Sequence, residues 1–133
     1  MTQTLTPDLQ TMSNLLCTAF EGGSNYWYCI KELRKPEALT FLSDARRAKV
    51  MEREPEVFRH LDYPLNEGGA LVIEDREEDG RVVELTLDSC LRGWQIMHDS
   101  YPQNWADAMS ENDDAETGDV FLQCCLFGEV IYG

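Results

Sequence analysis

Val120-Phe121-Leu122-Gln123-Cys124-Cys125-Leu126-Phe127, near the end of the chain, is a run in which Gln123 is the only polar residue. Wound as a helix, this run is apolar on nearly every side, and such a helix belongs in the interior of a domain. Asp113 and Glu116 precede it with the spacing of a capping box, and Gly128 follows as its end. We therefore predict a central buried helix, followed by an extended tail over residues 129–133.

Two helices are predicted at the start of the chain. The first begins at Thr6-Pro7-Asp8 and ends at Gly22-Gly23. It places apolar side chains at helical spacing, at Leu9, Met12, Leu15, Leu16, Ala19 and Phe20. Ser24 or Asn25 then caps a second predicted helix, which ends before Pro36. That helix carries Tyr26, Trp27, Ile30 and Leu33.

A β-hairpin is predicted in the middle of the chain, after a stretch at residues 37–66 that favours short helical pieces and loops. Residues 70–76 and 81–87 are rich in β-forming side chains, and the Asp79-Gly80 pair between them is a strong hairpin signal. Two further helices are predicted to begin near Asp88 and Pro102. The sequence thus predicts a single α+β domain over residues 1–133, with four to five helices around the buried C-terminal helix and one antiparallel hairpin.

The net charge of −14 lies entirely in the second half of the chain. Residues 1–59 contain eight basic and eight acidic residues, whereas residues 60–133 contain three basic and seventeen acidic ones. Such a field repels nucleic acid and anionic membranes and attracts basic partners. We therefore expect a protein partner with a basic surface and no direct contact with nucleic acid or membrane. The apolar tail residues 130–132 need a cover, from this chain or from a second copy of it.

A glycine–aromatic corner near residue 21 is the most ligand-like feature of the sequence. Two glycines allow a close approach to the backbone, and a helix N-terminus beside aromatic rings suits a nucleotide-like anion. The residues predicted to bind such a ligand are Glu21, Ser24, Asn25, Tyr26, Trp27 and Arg92. The alternative is a structural corner whose rings lie in the core, since neither a P-loop nor a dinucleotide-binding fingerprint is present.

Two acidic runs are candidates for contact with a basic partner. The run at the hairpin tip contains Glu74, Asp75, Glu77, Glu78 and Asp79, and the run before the last helix contains Asp113, Asp114 and Glu116. One interpretation is a surface that mimics nucleic acid. The other is ordinary turn acids and helix-start charges. The hairpin acids lack the spacing of an EF-hand loop, so we predict no metal site there.

The sequence gives little support for catalysis. None of the five cysteines forms a C-x-x-C motif, and His60 and His98 stand apart from each other. We expect reduced, mostly buried thiols, no cofactor and no catalytic residues. The first ten residues lack the basic and apolar pattern of a signal peptide, so we expect a cytoplasmic protein.

Two stretches resemble a family of small conserved proteins of tailed bacteriophages and prophages. They are Ala19-Phe20-Glu21-Gly22-Gly23-Ser24-Asn25-Tyr26-Trp27 and the segment from Asp119-Val120-Phe121 to Ile131-Tyr132-Gly133. The resemblance covers most of the chain except residues 37–66, and implies a viral protein made in the cytoplasm of a bacterial host. The family has no established activity, but small acidic phage proteins often inhibit host defence. Together with the negative charge of residues 60–133, this leads us to expect a non-enzymatic accessory protein that binds and inhibits a host defence factor. The alternatives are a protein that binds or sequesters a nucleotide-like ligand, and a structural or housekeeping phage protein.

Overall fold

The computed structural model of the protein describes residues 6–23, 27–44, 47–48, 59–77, 80–110 and 115–132. Within these ranges the fold is α+β, with four α-helices and a three-stranded antiparallel sheet, which confirms the predicted class. The helices are α1 (Leu9–Thr18), α2 (Leu87–Ser100), α3 (Pro102–Met109) and α4 (Ala115–Phe127). The strands are β1 (Tyr28–Arg34), β2 (Ala70–Asp75) and β3 (Arg81–Leu85). A π-helical turn (Ala19–Gly23) follows α1, and a 3-10 helix (Arg59–Leu65) precedes β2.

Helix α4 occupies the centre of the fold, as its apolar sequence predicts. Its residues from Thr117 to Cys125 are all buried. It packs between α1 and α2, and a glycine permits close approach on each side. A Cβ atom at Gly93 of α2 would lie 2.8 Å from the Cα atom of Cys125, and a Cβ atom at Gly118 would lie 2.8 Å from the backbone oxygen of Leu15. The three helices therefore touch through their backbones at these points.

The predicted second helix is wrong, because Tyr28–Arg34 forms strand β1 at the edge of the sheet. Strand β1 pairs with β2 and contains a register shift between Ile30 and Glu32. Ile30 lies opposite Ile73, and Leu33 lies opposite Leu71. The extra residue places Ile30 and Leu33 on the same face although they are three positions apart. A bulged strand therefore produces the i, i+3 spacing that normally indicates a helix.

The predicted hairpin is confirmed, as the central and second edge strands of the sheet. Strands β2 and β3 pair through Leu71 with Leu85 and Ile73 with Val83, and Gly80 in the turn has a φ of 75°. The second strand ends earlier than expected, at Leu85. Thr86 caps α2, because its Oγ1 accepts a hydrogen bond from the Ser89 N–H at 3.2 Å. Asp88, near which this helix is predicted to begin, therefore lies inside the first turn.

Helix α1 is likewise capped by a residue other than the predicted Thr6. The Asp8 carboxylate accepts a hydrogen bond from the Thr11 N–H at 3.0 Å. Helix α3 begins at Pro102, as predicted. Trp94 and Trp105 join α2 to α3 with ring centroids 6.0 Å apart, and both indole N–H groups are buried without a hydrogen-bond partner in the described part of the chain. The predicted capping residue Asp113 lies outside the described residues.

Two buried polar side chains hold the irregular segment before β2. Asp62 is fully buried and accepts hydrogen bonds from the Ser13 hydroxyl at 2.7 Å and the Ser43 N–H at 3.0 Å. The Asn66 side chain accepts from the Phe41 N–H at 2.6 Å and donates to the Phe41 carbonyl at 3.1 Å. The described parts of residues 37–66 are loops and short helical pieces, as predicted: Asp44, Arg47 and Ala48 are α-helical, and a 3-10 helix ends at Leu65.

The tail folds back on the same chain, where Val130 and Tyr132 pack against the core and Ile131 stays 42% exposed. The Gln123 Oε1 atom accepts hydrogen bonds from the Ile131 and Tyr132 N–H groups, each at 2.9 Å, and its Nε2 donates to the Tyr132 carbonyl at 3.0 Å. The single polar residue of the run from Val120 to Phe127 is thus the one that binds the tail. Among the described residues, no helix combines the length and the apolar character needed to cross a bilayer.

Candidate functional site

Trp27, predicted as a stacking surface for a ligand, belongs to the core. Its side chain is 0% exposed, and its indole N–H donates to Asp119 Oδ1 at 2.7 Å. Its ring contacts Phe127 and Tyr132, with centroid distances of 5.3 Å and 5.6 Å. The prediction that Trp27 offers a face to a ligand is therefore wrong, and the alternative of a core corner describes it.

Of the other residues of the predicted ligand corner, the structure describes two, Glu21 and Arg92. Glu21 is exposed in the π-helical turn. Arg92 is exposed on α2 and pairs with Asp88 of the preceding turn, at 3.7 Å between Nε and Oδ2. Ser24, Asn25 and Tyr26 lie outside the described residues. A nucleotide pocket that includes these three residues therefore stays a prediction.

The described acids of the hairpin tip are two groups that reach the surface, Glu74 and Glu77, and one buried group, Asp75. Glu77 is exposed, and Glu74 is half-buried with Lys31 Nζ at 3.5 Å. Asp75 is 1% exposed and receives hydrogen bonds from Arg81 Nε at 3.2 Å and from the Tyr132 hydroxyl at 2.6 Å. Asp75 therefore holds the tail against the sheet and is not available to a partner, which corrects its prediction as a contact residue.

The remaining predicted contact residues lie mostly beyond the described ranges. Glu116 is exposed in the first turn of α4. Glu78, Asp79, Asp113 and Asp114 lie outside the described residues. Asp119, close in sequence to the second acidic run, is buried beside Trp27. The acidic runs of the sequence are thus a poor guide to which carboxylates reach the surface.

A cleft of 370 Å³ at one end of the sheet gathers carboxylates that are far apart in the sequence. Its charged lining consists of Arg34, Glu67, Glu84 and Asp88, and its apolar lining includes Ala70, Leu87 and Leu91. We call it the acidic cleft. Its acids come from the turn before β2, from β3 and from the first turn of α2. It lies where the strand pairing brings the start of β2 beside the end of β3.

One wall of the acidic cleft, the turn before β2, is fixed by backbone geometry. A Cβ atom at Gly69 would lie 2.1 Å from the Tyr63 carbonyl oxygen, so only glycine fits there. Gly68 has a φ of 87°, in the left-handed region that favours glycine. The Gly69 N–H also donates to the Asn66 carbonyl at 3.1 Å. The cleft is therefore formed before any partner arrives.

Arg34 shows how a cation is held at this cleft. Its guanidinium forms ion pairs with Glu84 across the sheet and with Glu32 of its own strand, the latter at 3.6 Å. The hydrogen bond that it donates to Glu84 is the main reason why the pKa of Arg34 lies above its ordinary value. The Glu84 carboxylate thus faces the cleft with a guanidinium already bound to it.

A second, larger cleft of 550 Å³ adjoins the acidic cleft through two shared residues. It is lined by Lys35, Glu37, Ala38, Thr40, Glu67 and Gly68. Glu67 and Gly68 line both clefts. The shared Glu67–Gly68 turn makes the two recesses parts of one groove over this end of the sheet.

The buried thiols are poorly suited to nucleophilic chemistry. Burial raises the pKa of Cys124 to about 12. Burial raises the pKa of Cys125 well above its ordinary value, and the neighbouring Cys90 adds to the effect. The thiolate is the reactive form, so these groups are inert near neutral pH. Among the described residues there is also no cluster of three or more metal-ligating side chains.

We expect iodoacetamide to discriminate sharply between the cysteines of the folded protein. Cys17 and Cys29 are partly exposed and should be alkylated at pH 8, whereas Cys124 and Cys125 should stay unmodified until the chain is denatured. Because the pKa of Cys124 is about 12, less than about 1% of this thiol is ionised even at pH ~9.5, so its labelling should stay far slower than that of Cys29 over this range. Peptide mass spectrometry measures this. Labelling of Cys124 as fast as that of Cys29 would contradict it.

Sequence reasoning missed Glu67, Glu84 and Asp88 as members of one site. Each is a single acid in a different element, and the sequence pattern around Asp88 indicates only a helix cap. The predicted hairpin could have indicated this site, because antiparallel pairing of β2 with β3 brings the residues before Ala70 close to those after Leu85. No family model, curated protein or solved structure matches the chain. Its function is therefore inferred from the acidic cleft and the charges around it.

Proposed function

We propose that the protein is a non-enzymatic accessory protein of a bacteriophage that binds a basic surface of a host protein, and that it occupies a surface which would otherwise hold nucleic acid. The observation that carries this proposal is the acidic cleft, in which carboxylates from three elements converge on a preformed recess. A basic group on a partner protein is the natural complement of such a recess.

The exposed charge of residues 60–133 supports the same partner chemistry. The exposed acids among the described residues of this half are Glu67, Glu77, Glu84, Asp88, Asp99, Glu116 and Glu129. The exposed bases described there are Arg76 and Arg92, and Arg92 already pairs with Asp88. The surface of this half is therefore negative even after the buried acids are set aside. A negative surface attracts basic proteins and speeds their association.

A host defence factor that binds nucleic acid fits this surface best. Such factors present lysine and arginine where phosphates bind, and an array of carboxylates satisfies the same side chains. The resemblance of both ends of the chain to phage proteins supports a target in the bacterial cytoplasm. In this proposal the protein acts by occupancy and performs no chemical step.

The test combines capture with competition. The immobilised protein is exposed to a bacterial lysate freed of nucleic acid, and each captured protein is purified. Each is then loaded with a labelled DNA or RNA duplex and titrated with the protein. We expect displacement of the duplex, with an apparent affinity whose logarithm falls linearly with the logarithm of salt concentration.

A variant with less surface charge is the matched control for this test. The triple substitution Glu77→Gln, Glu116→Gln and Glu129→Gln removes three exposed carboxylates and leaves the acidic cleft intact. It should bind more weakly and show a shallower salt dependence. The proposal would be overturned if the protein bound its captured partner without displacing the duplex. It would also be overturned if the affinity of the protein for that partner did not change with salt concentration.

A further inference from the structure

We infer that the acidic cleft is an anchor site that takes up one arginine or lysine side chain of the partner, and this inference rests on the proposed function. It narrows a general attraction between charged surfaces to one recess and one type of side chain. The cleft has two kinds of lining, apolar and acidic, and each matches one part of such a side chain.

The apolar lining suits the stem of a long basic side chain. Ala70 comes from β2, and Leu87 and Leu91 lie one turn apart on α2. Lysine and arginine bury their methylene groups against such surfaces while the charged end reaches polar groups. A cleft lined only by acids would hold a small ion, whereas this combination favours an extended amphipathic side chain.

The acidic lining suits the charged end of the same side chain. Glu84 already accepts a hydrogen bond from the Arg34 guanidinium, so a guanidinium fits this part of the cleft. Glu67 and Asp88 flank it from two other elements. The pair of Asp88 with Arg92 spans 3.7 Å between two side chains that are 85% and 68% exposed, and such exposed pairs exchange at little cost.

An anion is a poorer occupant, although the cleft lies beside the N-terminus of α2. The positive end of that helix is already compensated, because Thr86 accepts the Ser89 N–H and Asp88 contributes a negative charge in the first turn. The single cation of the lining, Arg34, is bound by Glu84 and Glu32. An incoming phosphate would therefore meet more carboxylates than free donors.

The size of the groove fits a short segment of a protein partner. A volume of 370 Å³ is near the lower end of the range of roughly 300–1,000 Å³ found for small-molecule sites. It accommodates one side chain. The adjoining cleft continues past Glu67 and Gly68 and offers room for the neighbouring residue of the same segment. The partner is thus expected to lay a basic loop or strand across this end of the sheet.

The test uses a peptide probe and nuclear magnetic resonance. The ¹⁵N-labelled protein is titrated with the peptide acetyl-Gly-Arg-Gly-amide, and separately with the same peptide carrying citrulline, the uncharged isostere of arginine. We expect the arginine peptide to shift the amide signals of Gly68, Gly69, Ala70 and Leu87, and the citrulline peptide to leave them in place.

Two double variants of equal charge locate the site. Glu67→Gln with Asp88→Asn removes two carboxylates from the cleft, and Asp99→Asn with Glu129→Gln removes two exposed carboxylates elsewhere. The first double variant should weaken binding of the arginine peptide by about five- to tenfold in Kd, and the second should weaken it by less than about twofold. Circular dichroism confirms that both variants fold.

The outcomes separate this inference from the proposed function. Shifts spread over the whole acidic surface, or equal weakening by the two double variants, would overturn the anchor site. The proposed function would survive that result if the protein still displaced nucleic acid from its captured partner. Failure of the wild-type protein to displace nucleic acid, with the peptide still bound at the cleft, would overturn the proposed function instead.

Discussion

The substitution Gly93→Ala should destabilise the protein by about 2 kcal/mol, although alanine is the better helix former. In a helix interior, replacing glycine by alanine normally gains up to about 1 kcal/mol. At Gly93 the new Cβ atom would lie 2.8 Å from both the Cα and the backbone N of Cys125. Those atoms belong to the central helix and cannot rotate away, so α2 and α4 must separate. Overpacking of this kind costs about 1–3 kcal/mol and occasionally more, and here it exceeds the gain in propensity.

Urea and thermal unfolding of Gly93→Ala measure the effect, which corresponds to a fall in Tm of roughly 6–10 °C for a domain of this size. Gly22→Ala is the matched control, because a Cβ atom at Gly22 would have no neighbouring atom within 4 Å and the residue has no positive φ. It should be neutral, or stabilising by about 0.4–1 kcal/mol, through a smaller loss of chain entropy. If Gly93→Ala were as stable as Gly22→Ala, the direct backbone contact between α2 and α4 would be wrong.

The sequence predicts correctly those elements of the fold whose local residue pattern agrees with their tertiary environment. The run from Val120 to Phe127 is apolar and lies at the centre, and the Asp79-Gly80 pair marks the observed hairpin. Strand β1 escaped prediction because one bulged residue restores helical spacing to Ile30 and Leu33. A single sequence gives no sign of a bulge, since the partner strand determines it.

The candidate site was harder to predict than the fold, because charge in a sequence does not distinguish core from surface. Asp62, Asp75 and Asp119 contribute to the acidic total but are 0%, 1% and 7% exposed. The first fastens a loop, the second holds the tail and the third binds an indole. The carboxylates of the acidic cleft are isolated in sequence and converge only through the hairpin. The surface that carries the proposed function is therefore a product of topology.

The substitution Asp119→Ala should be among the most destabilising that the protein offers. The Asp119 carboxylate accepts hydrogen bonds from the Trp27 indole at 2.7 Å and from Gln123 Nε2 at 3.0 Å, all within the core. Alanine removes the acceptor from two buried donors, at about 1–3 kcal/mol each, and leaves a cavity. The expected loss is about 3–5 kcal/mol in the free energy of unfolding by urea.

Two further variants distinguish a lost hydrogen-bond network from a lost charge. Asp119→Asn keeps one acceptor for Trp27 but turns its amide donors toward Gln123. Its free energy of unfolding should therefore lie between that of the wild type and that of Asp119→Ala. Asp99→Ala removes a carboxylate that is exposed on α2 and should change stability by less than about 0.5 kcal/mol. A cost for Asp119→Ala as small as that of Asp99→Ala would contradict the network.

Hydrogen exchange in the tail distinguishes loss of this network from the simple loss of packing that a core cavity causes. Gln123 binds both the Asp119 carboxylate and the backbone of Ile131 and Tyr132, so Asp119 orients the amide that holds the tail. In Asp119→Ala, hydrogen exchange at the Ile131 and Tyr132 amides should accelerate more than exchange in the middle of β2, under conditions where the chain stays folded. Equal acceleration at both places would mean that only global stability has changed. Selective acceleration at the tail would show that one buried carboxylate links the N-terminal Trp27, the central helix and the end of the chain.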